Sequence, residues 1–263
     1  MGHYPEELND HGSNRQDWLS DPACRLGFSI FETMRSIDQR IIWMDDHMSR
    51  LTQSATLFGI PLPSLRVLKS ALDKSMNEAE SRHLGLRLTV SQSGLWGIRT
   101  WAFDESRIGH PISLARFIDP PHPYLPRAAK HSNRLLWVQA AKNLEVDEVL
   151  LCDELNAGLE TNNSNIYMLW ENRVYTPPTD GTILAGITRL HLQKVVMDLG
   201  LHWIEQRLHR SLFDEGRRNG AVFYVSSTLK EIAPVSVLDG INFEVNSDLF
   251  SLIQEKYKYA LLT

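Results

Sequence analysis

Cysteine is scarce in this chain of 263 residues: Cys24 and Cys152 are the only two, and they lie far apart. Such a pair makes neither a disulfide framework nor a zinc-ligand spacing, so a reduced, cytoplasmic protein is expected. A charge excess is missing as well. Lys and Arg number 27 against 32 Asp and Glu, leaving a net charge of −5. That balance gives no electrostatic reason to expect nucleic acid or an anionic membrane as a partner. No apolar run approaches the ~18 residues that a membrane span requires. Residues 1–18 are polar without an apolar stretch and read as a flexible leader, not a signal peptide. The ten histidines show no metal-ligand spacing, and no metal is expected. Also absent are a GxxxxGK[ST] phosphate loop, a GxGxxG after a strand, an HExxH helix and a GxSxG elbow.

What remains is an ordinary globular composition, 43% apolar and 22% charged, able to build a packed core. Gly27 to Arg35 reads as a strand, with Arg40 to Met44 its hairpin partner across Asp38-Gln39. Asp45 and Asp46 are candidate N-caps of a helix to about Phe58, with Leu51, Ala55 and Leu57 facing the core. Leu65, Leu68, Leu72 and Met76 recur at helical spacing, while Leu84, Leu86, Leu88 and Val90 alternate as in a strand. Ile112 to Ile118 is a further strand. Four prolines between residues 120 and 126 then break any regular element. They mark the expected boundary: a domain over 19–119, a stiff crossing over 120–127, and a second domain over 128–263. Beyond it come a helix (Arg134 to Leu144), strands at Glu148 to Cys152, Gly158 to Glu160, Ile166 to Trp170 and Val174 to Thr176, and a helix from Ile187 to Leu199 closed by Gly200. Strands near Leu201 to Gln206, Ala221 to Ser226 and Val235 to Leu238 and a last helix from Asp248 complete the chain. Without a regular βαβ rhythm, the fold class is α+β. The seven tryptophans read as core and interface residues.

Three strings carry chemistry. Lys130 follows two alanines just after the proline-rich stretch. Glu160 opens Glu160-Thr161-Asn162-Asn163-Ser164-Asn165. Gly186-Ile187-Thr188 begins an amphipathic helix. Each alone has a bland reading: a surface lysine, a loop carboxylate, a capped helix. Together they are the parts needed to hold pyridoxal phosphate. A lysine forms the Schiff base, a carboxylate pairs with the pyridinium nitrogen, and unpaired N–H groups at a helix start take the phosphate. Asn165 could orient the carboxylate or the ring, and the Thr188 hydroxyl adds a phosphate donor. Ser226-Ser227-Thr228 offers a second donor set, and Arg50 could supply a cation.

In chain order these strings resemble the class IV aminotransferases, the fold-type IV pyridoxal-phosphate enzymes. That group includes branched-chain and D-amino-acid aminotransferases and aminodeoxychorismate lyase. Phe31-Glu32-Thr33-Met34-Arg35 is similar to the family's FETxR strand, and His47 to Leu51 to its HxxRL helix, which implies a phosphate role for Arg50. Lys130 with Asn133 resembles KxxN, and Glu160 to Asn165 resembles ExxxxN. Thr176-Pro177-Pro178 with Leu184 to Arg189 resembles TPP…LxGITR. Ser227-Thr228 through Glu231 to Val235 resembles STxxEIxPV, which implies that Thr228 reaches the phosphate. The resemblance implies a two-domain fold like that of D-amino-acid aminotransferase, the cofactor in the interdomain cleft, a homodimer, and a small amino substrate. Lys130 would be the catalytic residue. Arg50, Glu160, Asn165, Gly186, Ile187, Thr188, Ser227 and Thr228 would hold the cofactor. Phe31, Thr33, Arg87, Arg99 and Arg134 would contact substrate or cofactor. Two positions depart from the pattern. Arg134 replaces the usual tyrosine, giving the KHxNR form found in some aminodeoxychorismate lyases. Ser93 stands where relatives carry a carboxylate-binding arginine, a loss for which Arg87 or Arg99 could compensate. KHxNR and the short length slightly favour the lyase, with an amino-acid aminotransferase as the alternative and a non-catalytic cofactor-binding relative after that.

Overall fold

The structure is a computed structural model describing residues 19–262, so the leader expected over 1–18 lies outside the described residues. The chain divides into two compact units. Of the described residues, the first runs to Asp104 and adds Ala129–Asn133; the second comprises Glu105–Ala128 and Arg134 onward. The division thus falls at Asp104/Glu105 and not in the proline-rich stretch. The reason is pairing: the strand Ile112–Ile118 hydrogen-bonds into the sheet of the second unit.

The first unit has a short helix α1 (Pro22–Leu26) and strands β1 (Ser29–Ile37) and β2 (Arg40–Ile41). Helices α2 (Met44–Phe58) and α3 (Leu65–Asn77) follow, then strands β3 (Leu84–Ser91) and β4 (Trp96–Ala102). Asp38 and Gln39 both take positive φ, 47° and 60°, as a two-residue hairpin turn requires. The hairpin is shorter than expected, because Trp43 (φ 50°) already caps α2. Asp45 and Asp46 therefore lie in the helix's first turn, complementing its dipole, rather than at the cap. The sheet order is β2-β1-β3-β4, all antiparallel. One face carries Ile30, Met34, Leu84, Leu86, Leu88 and Val90, packed with Leu51, Ala55, Leu68, Leu72 and Met76 of the helices. Leu57 and Leu65, expected in that core, are exposed instead, each just off its helix's buried stripe. Strand β4 went unread in the sequence because its burial is only intermediate and its alternation weak.

The second unit contains β5 (Ile112–Ile118), α4 (Leu135–Asn143), β6 (Glu148–Cys152), β7 (Gly158–Thr161), β8 (Asn165–Trp170) and β9 (Arg173–Thr176). It continues with α5 (Ile187–Asp198), β10 (His202–Glu205), α6 (Arg210–Arg218), β11 (Val222–Ser227), β12 (Glu231–Leu238), β13 (Ile241–Asn242) and α7 (Asp248–Leu262). Its sheet runs β10-β9-β8-β11-β12-β5-β6-β7, and β7 pairs back to β8. Strands β8, β11, β12, β5, β6 and β7 therefore close on themselves, and the closing register is the single pair Glu160↔Asn165. Two readings shift here. β12 begins at Glu231 and passes through Pro234, which is tolerated because β5 pairs with it only from Val235 on. Helix α6 went unseen, since Phe213 and Gly216 are its only buried residues. None of the described tryptophans is fully buried; their size leaves each partly exposed.

Candidate active site

In the first unit, Lys130 is anchored through its backbone. Its carbonyl accepts from the Phe31 N–H at 2.9 Å, and its own N–H donates to Ser54 Oγ at 3.1 Å. The Ser132 N–H donates to the Ser29 carbonyl at 2.9 Å, and the two serine hydroxyls meet at 2.8 Å. Residues 130–132 thus lie antiparallel to the start of β1, bridged at Ile30↔His131. The Lys130 Nζ sits 4.8 Å from the centre of the Phe31 ring, and Arg87 Cζ sits 3.7 Å from the same ring. These bonds fix the backbone that carries the Lys130 side chain.

Helix α2 presents His47, Arg50 and Ser54 on one face, three and four residues apart. Arg50 forks side-on onto Glu32, Nε to Oε1 at 2.8 Å and Nη2 to Oε2 at 2.7 Å, while His47 Nδ1 reaches Oε2 at 2.7 Å. Glu32 is fully buried on the core face of β1, between Ile30 and Met34. Burial by itself raises its carboxyl, but the charge and hydrogen bonds of Arg50, with the His47 bond, outweigh that and hold it down at about 2. His47 is pushed below the usual range by its burial, against the Glu32 bond; the charges of Arg50 and Lys130 push the same way. Lys130 thus lies within electrostatic reach of this network. The fork is a side-on pairing of guanidinium and carboxylate through Nε and Nη2.

The other face of the sheet carries Phe31, Thr33 and Arg35. Thr33, Arg87 and Arg99 are register neighbours across β1, β3 and β4. Arg99 lies 5.8 Å from the Trp101 ring centre and Arg35 lies 4.7 Å from that of Phe103. At the substituted position, the hydroxyls of Ser93 and Ser91 both donate to Asp21, which also caps α1 through the Ala23 N–H at 2.7 Å. Ser93 therefore ties a loop to α1 and has no cationic group for a carboxylate.

In the second unit, the closing pair of the ring does further work. Glu160 Oε2 accepts from the Leu184 N–H at 3.0 Å, and Asn165 Nδ2 donates to the Leu184 carbonyl at 3.0 Å. Both grip one residue of the segment leading to α5, so Asn165 orients that backbone. Two residues on stands Gly186, where a Cβ would lie 2.0 Å from Asn165 Oδ1; only glycine fits against that amide. Gly186 is the N-cap of α5 and supplies no side-chain cap, and the first turn holds no acidic residue. Within that turn Ile187 is buried in the core, and Thr188 Oγ1 is buried without a hydrogen-bond partner. Unpaired helix N–H groups beside an unsatisfied buried hydroxyl are a fitting receptor for a phosphate. Across the next strand, Asn165 is in register with Ser226, and the half-buried Ser227 and Thr228 follow. Arg134 Nη2 donates to Asn163 Oδ1 at 2.9 Å. Burial lowers its pKa, opposed by the nearby charges of Glu160 and Glu148.

Glu32, Ser54 and Arg189 went unread as contributors. Arg189 binds the Pro177 carbonyl at 3.0 Å and Glu205 at 2.9 Å, stapling α5 to the segment just past β9 and to β10. The signal for Glu32 was present: it shares strand parity with Ile30 and Met34, a charge on the core face. Among the described residues, no His, Cys, Asp and Glu group suits a metal, and no helix is long and apolar enough to cross a membrane.

The family model for amino-transferase class IV matches residues 29–238. The chain belongs to that family. Curated relatives include a D-alanine aminotransferase of Staphylococcus aureus, 35% identical with 84% of this chain and 83% of that protein covered. A putative branched-chain-amino-acid aminotransferase of Methanocaldococcus jannaschii is 25% identical, with 90% and 88% covered. Among solved structures, a hypothetical aminotransferase from Mycobacterium tuberculosis in its PLP-bound form superposes with a TM-score of 0.83 at 22% identity, over 92% of each chain. A putative 4-amino-4-deoxychorismate lyase from Legionella pneumophila superposes with a TM-score of 0.79 at 24% identity, also over 92% of each. These two likenesses establish the fold, mixed α and β, as expected from the sequence.

Proposed function

We propose that this family member is a pyridoxal-phosphate-dependent enzyme acting on the amino group of a small amino acid, with Lys130 its covalent anchor and proton carrier. The observation that carries the reading is the start of α5: uncapped, led by Gly186, with the Thr188 hydroxyl buried and unsatisfied. Pyridoxal phosphate, when bound, supplies an electron sink for the charge that develops at the amino acid's α carbon. The chain's own residues do the rest. Gly186, Ile187 and Thr188, with Ser227 and Thr228, would take the phosphate. Glu160 would pair with the ring nitrogen and hold its proton. Lys130 Nζ removes and returns the proton at the substrate α carbon, its swing limited by the backbone anchors at Phe31 and Ser54. Because Ser93 is engaged with Asp21, a substrate carboxylate would fall to the arginines of the β1–β3–β4 face, among them Arg87 and Arg99, the register neighbours of Thr33.

Amino transfer to a keto acid is the reaction that the curated relatives' names support. A second reading, aminodeoxychorismate lyase, is supported by Arg134, which completes KHxNR and lies near Glu160. Both begin with the same proton removal and are separated by their products. Purified protein should move the amino group of D-alanine or a branched-chain amino acid to a keto acid, with Arg87→Met raising KM about tenfold for one lost charged hydrogen bond. Pyruvate and 4-aminobenzoate released from aminodeoxychorismate, without a keto acid, would decide for the lyase. No turnover of either kind would overturn the proposal.

A homodimer is part of the same proposal. On α4, Leu135, Leu136 and Val138 are each more than half exposed. Such a patch suits burial against a second copy. Sedimentation should give twice the chain mass, reduced to one by Leu136→Asp; a monomeric parent protein would refute it.

A further inference from the structure

The second unit contains a buried carboxylate with no part in the chemistry above. Glu148, at the first residue of β6, is 1% exposed. Its Oε2 accepts from the Thr161 hydroxyl, and its Oε1 from the Lys230 ammonium and, at 3.4 Å, from Ser164 Oγ. Thr161 Oγ1 in turn accepts from the Ser164 N–H at 2.8 Å, which closes the turn between β7 and β8. That turn joins Glu160 to Asn165 and, through Asn163, also holds Arg134. Lys230 lies in the turn between β11 and β12, two residues past Thr228. The start of β6, the end of β7, the start of β8 and the β11–β12 turn all lie on one rim of the closed ring, as their registers require. Glu148 thus ties together the two loops that bear the ring-nitrogen carboxylate and the second set of phosphate donors.

We propose that Glu148 is a positioning residue of the cofactor site: through Thr161 and Lys230 it sets the spacing between Glu160 and the Ser227–Thr228 turn. The inference rests on the pyridoxal-phosphate reading. A buried charge in this place is expensive, and its geometry is what makes it worth keeping: two oxygens, three donors, two loops. A hydrophobic pair of similar volume could replace the charges in stability. It could not reproduce the spacing.

That difference gives the test. Glu148→Gln and Lys230→Met are made singly and together, and each protein is titrated with pyridoxal phosphate and melted without it. Each single variant should lose thermal stability, because it strands the other charge. The double variant should recover the apo melting temperature while its dissociation constant for pyridoxal phosphate stays about tenfold or more above that of the parent, the loss of one charged hydrogen bond's positioning. Glu148→Asp, one methylene short of both loops, should show the same raised constant. If affinity recovers with stability in the double variant, or never changes, Glu148 is only a structural charge and the proposal falls. A parent protein that takes up no pyridoxal phosphate overturns the functional reading, and the inference falls with it.

Discussion

Lys130→Ala should lower turnover by about 10³-fold or more, since it removes the residue proposed as both covalent anchor and carrier of the α-carbon proton. The loss should come without unfolding. All of the anchors around this residue belong to backbone or to neighbours: the Phe31 N–H, Ser54 Oγ, and the Ser29–Ser132 pair. Alanine keeps each of them, while it forfeits the contact of Nζ with the Phe31 ring. A second measurement separates the roles. Borohydride treatment of the loaded parent protein followed by peptide mass spectrometry should place the reduced cofactor on Lys130, and the variant should carry no label. A label on another lysine, or activity retained in the variant, would remove Lys130 from its assigned position.

Glu32→Ala should be the most damaging substitution in the first unit. It strands the Arg50 guanidinium beside a buried histidine, and breaking one partner of a buried ion pair costs about 3–5 kcal/mol. For a chain of this size that corresponds to a fall in melting temperature on the order of 10 °C. The pH dependence has a definite sign. Glu32 is held at about 2 in the folded protein against an ordinary 4.5, so its stabilisation is fully present above 4.5 and is lost as pH falls from there through about 2. Glu32→Gln cannot titrate, so its melting temperature should fall less steeply than the parent's across that window. Parallel curves for the two proteins would show that the carboxylate is not held down by Arg50 and His47.

The periodic parts of the molecule were open to reading in advance. Leu84, Leu86, Leu88 and Val90 alternate and are all buried, and Leu68, Leu72 and Met76 follow a helical stripe into the same core. Spacing reports burial directly when one face of an element is apolar. It failed where burial is partial, as in β4, or where few buried residues hold a helix, as in α6. The unit boundary was misjudged for a related reason. Prolines mark where a strand cannot continue, but which sheet a strand joins depends on hydrogen bonds to partners over thirty residues away, such as Ile112 to Val235.

By itself the sequence determined which groups are available: a lysine behind a proline-rich stretch, a carboxylate five positions before an asparagine in ExxxxN, a glycine-led helix start, and the family to which the chain belongs. Those are matters of local order along the chain. Only the tertiary structure decided what each group touches. It joined Glu160 to Asn165 as the seam of a closed ring, put both on Leu184, forked Arg50 onto Glu32, and tied Ser93 to Asp21. It also placed Glu148 between two loops, joining it to Lys230, 82 residues away in the chain, and to Thr161, 13 away. Partners that far apart meet only when strands pair, because register is set by the burial of whole faces and not by neighbours in the chain.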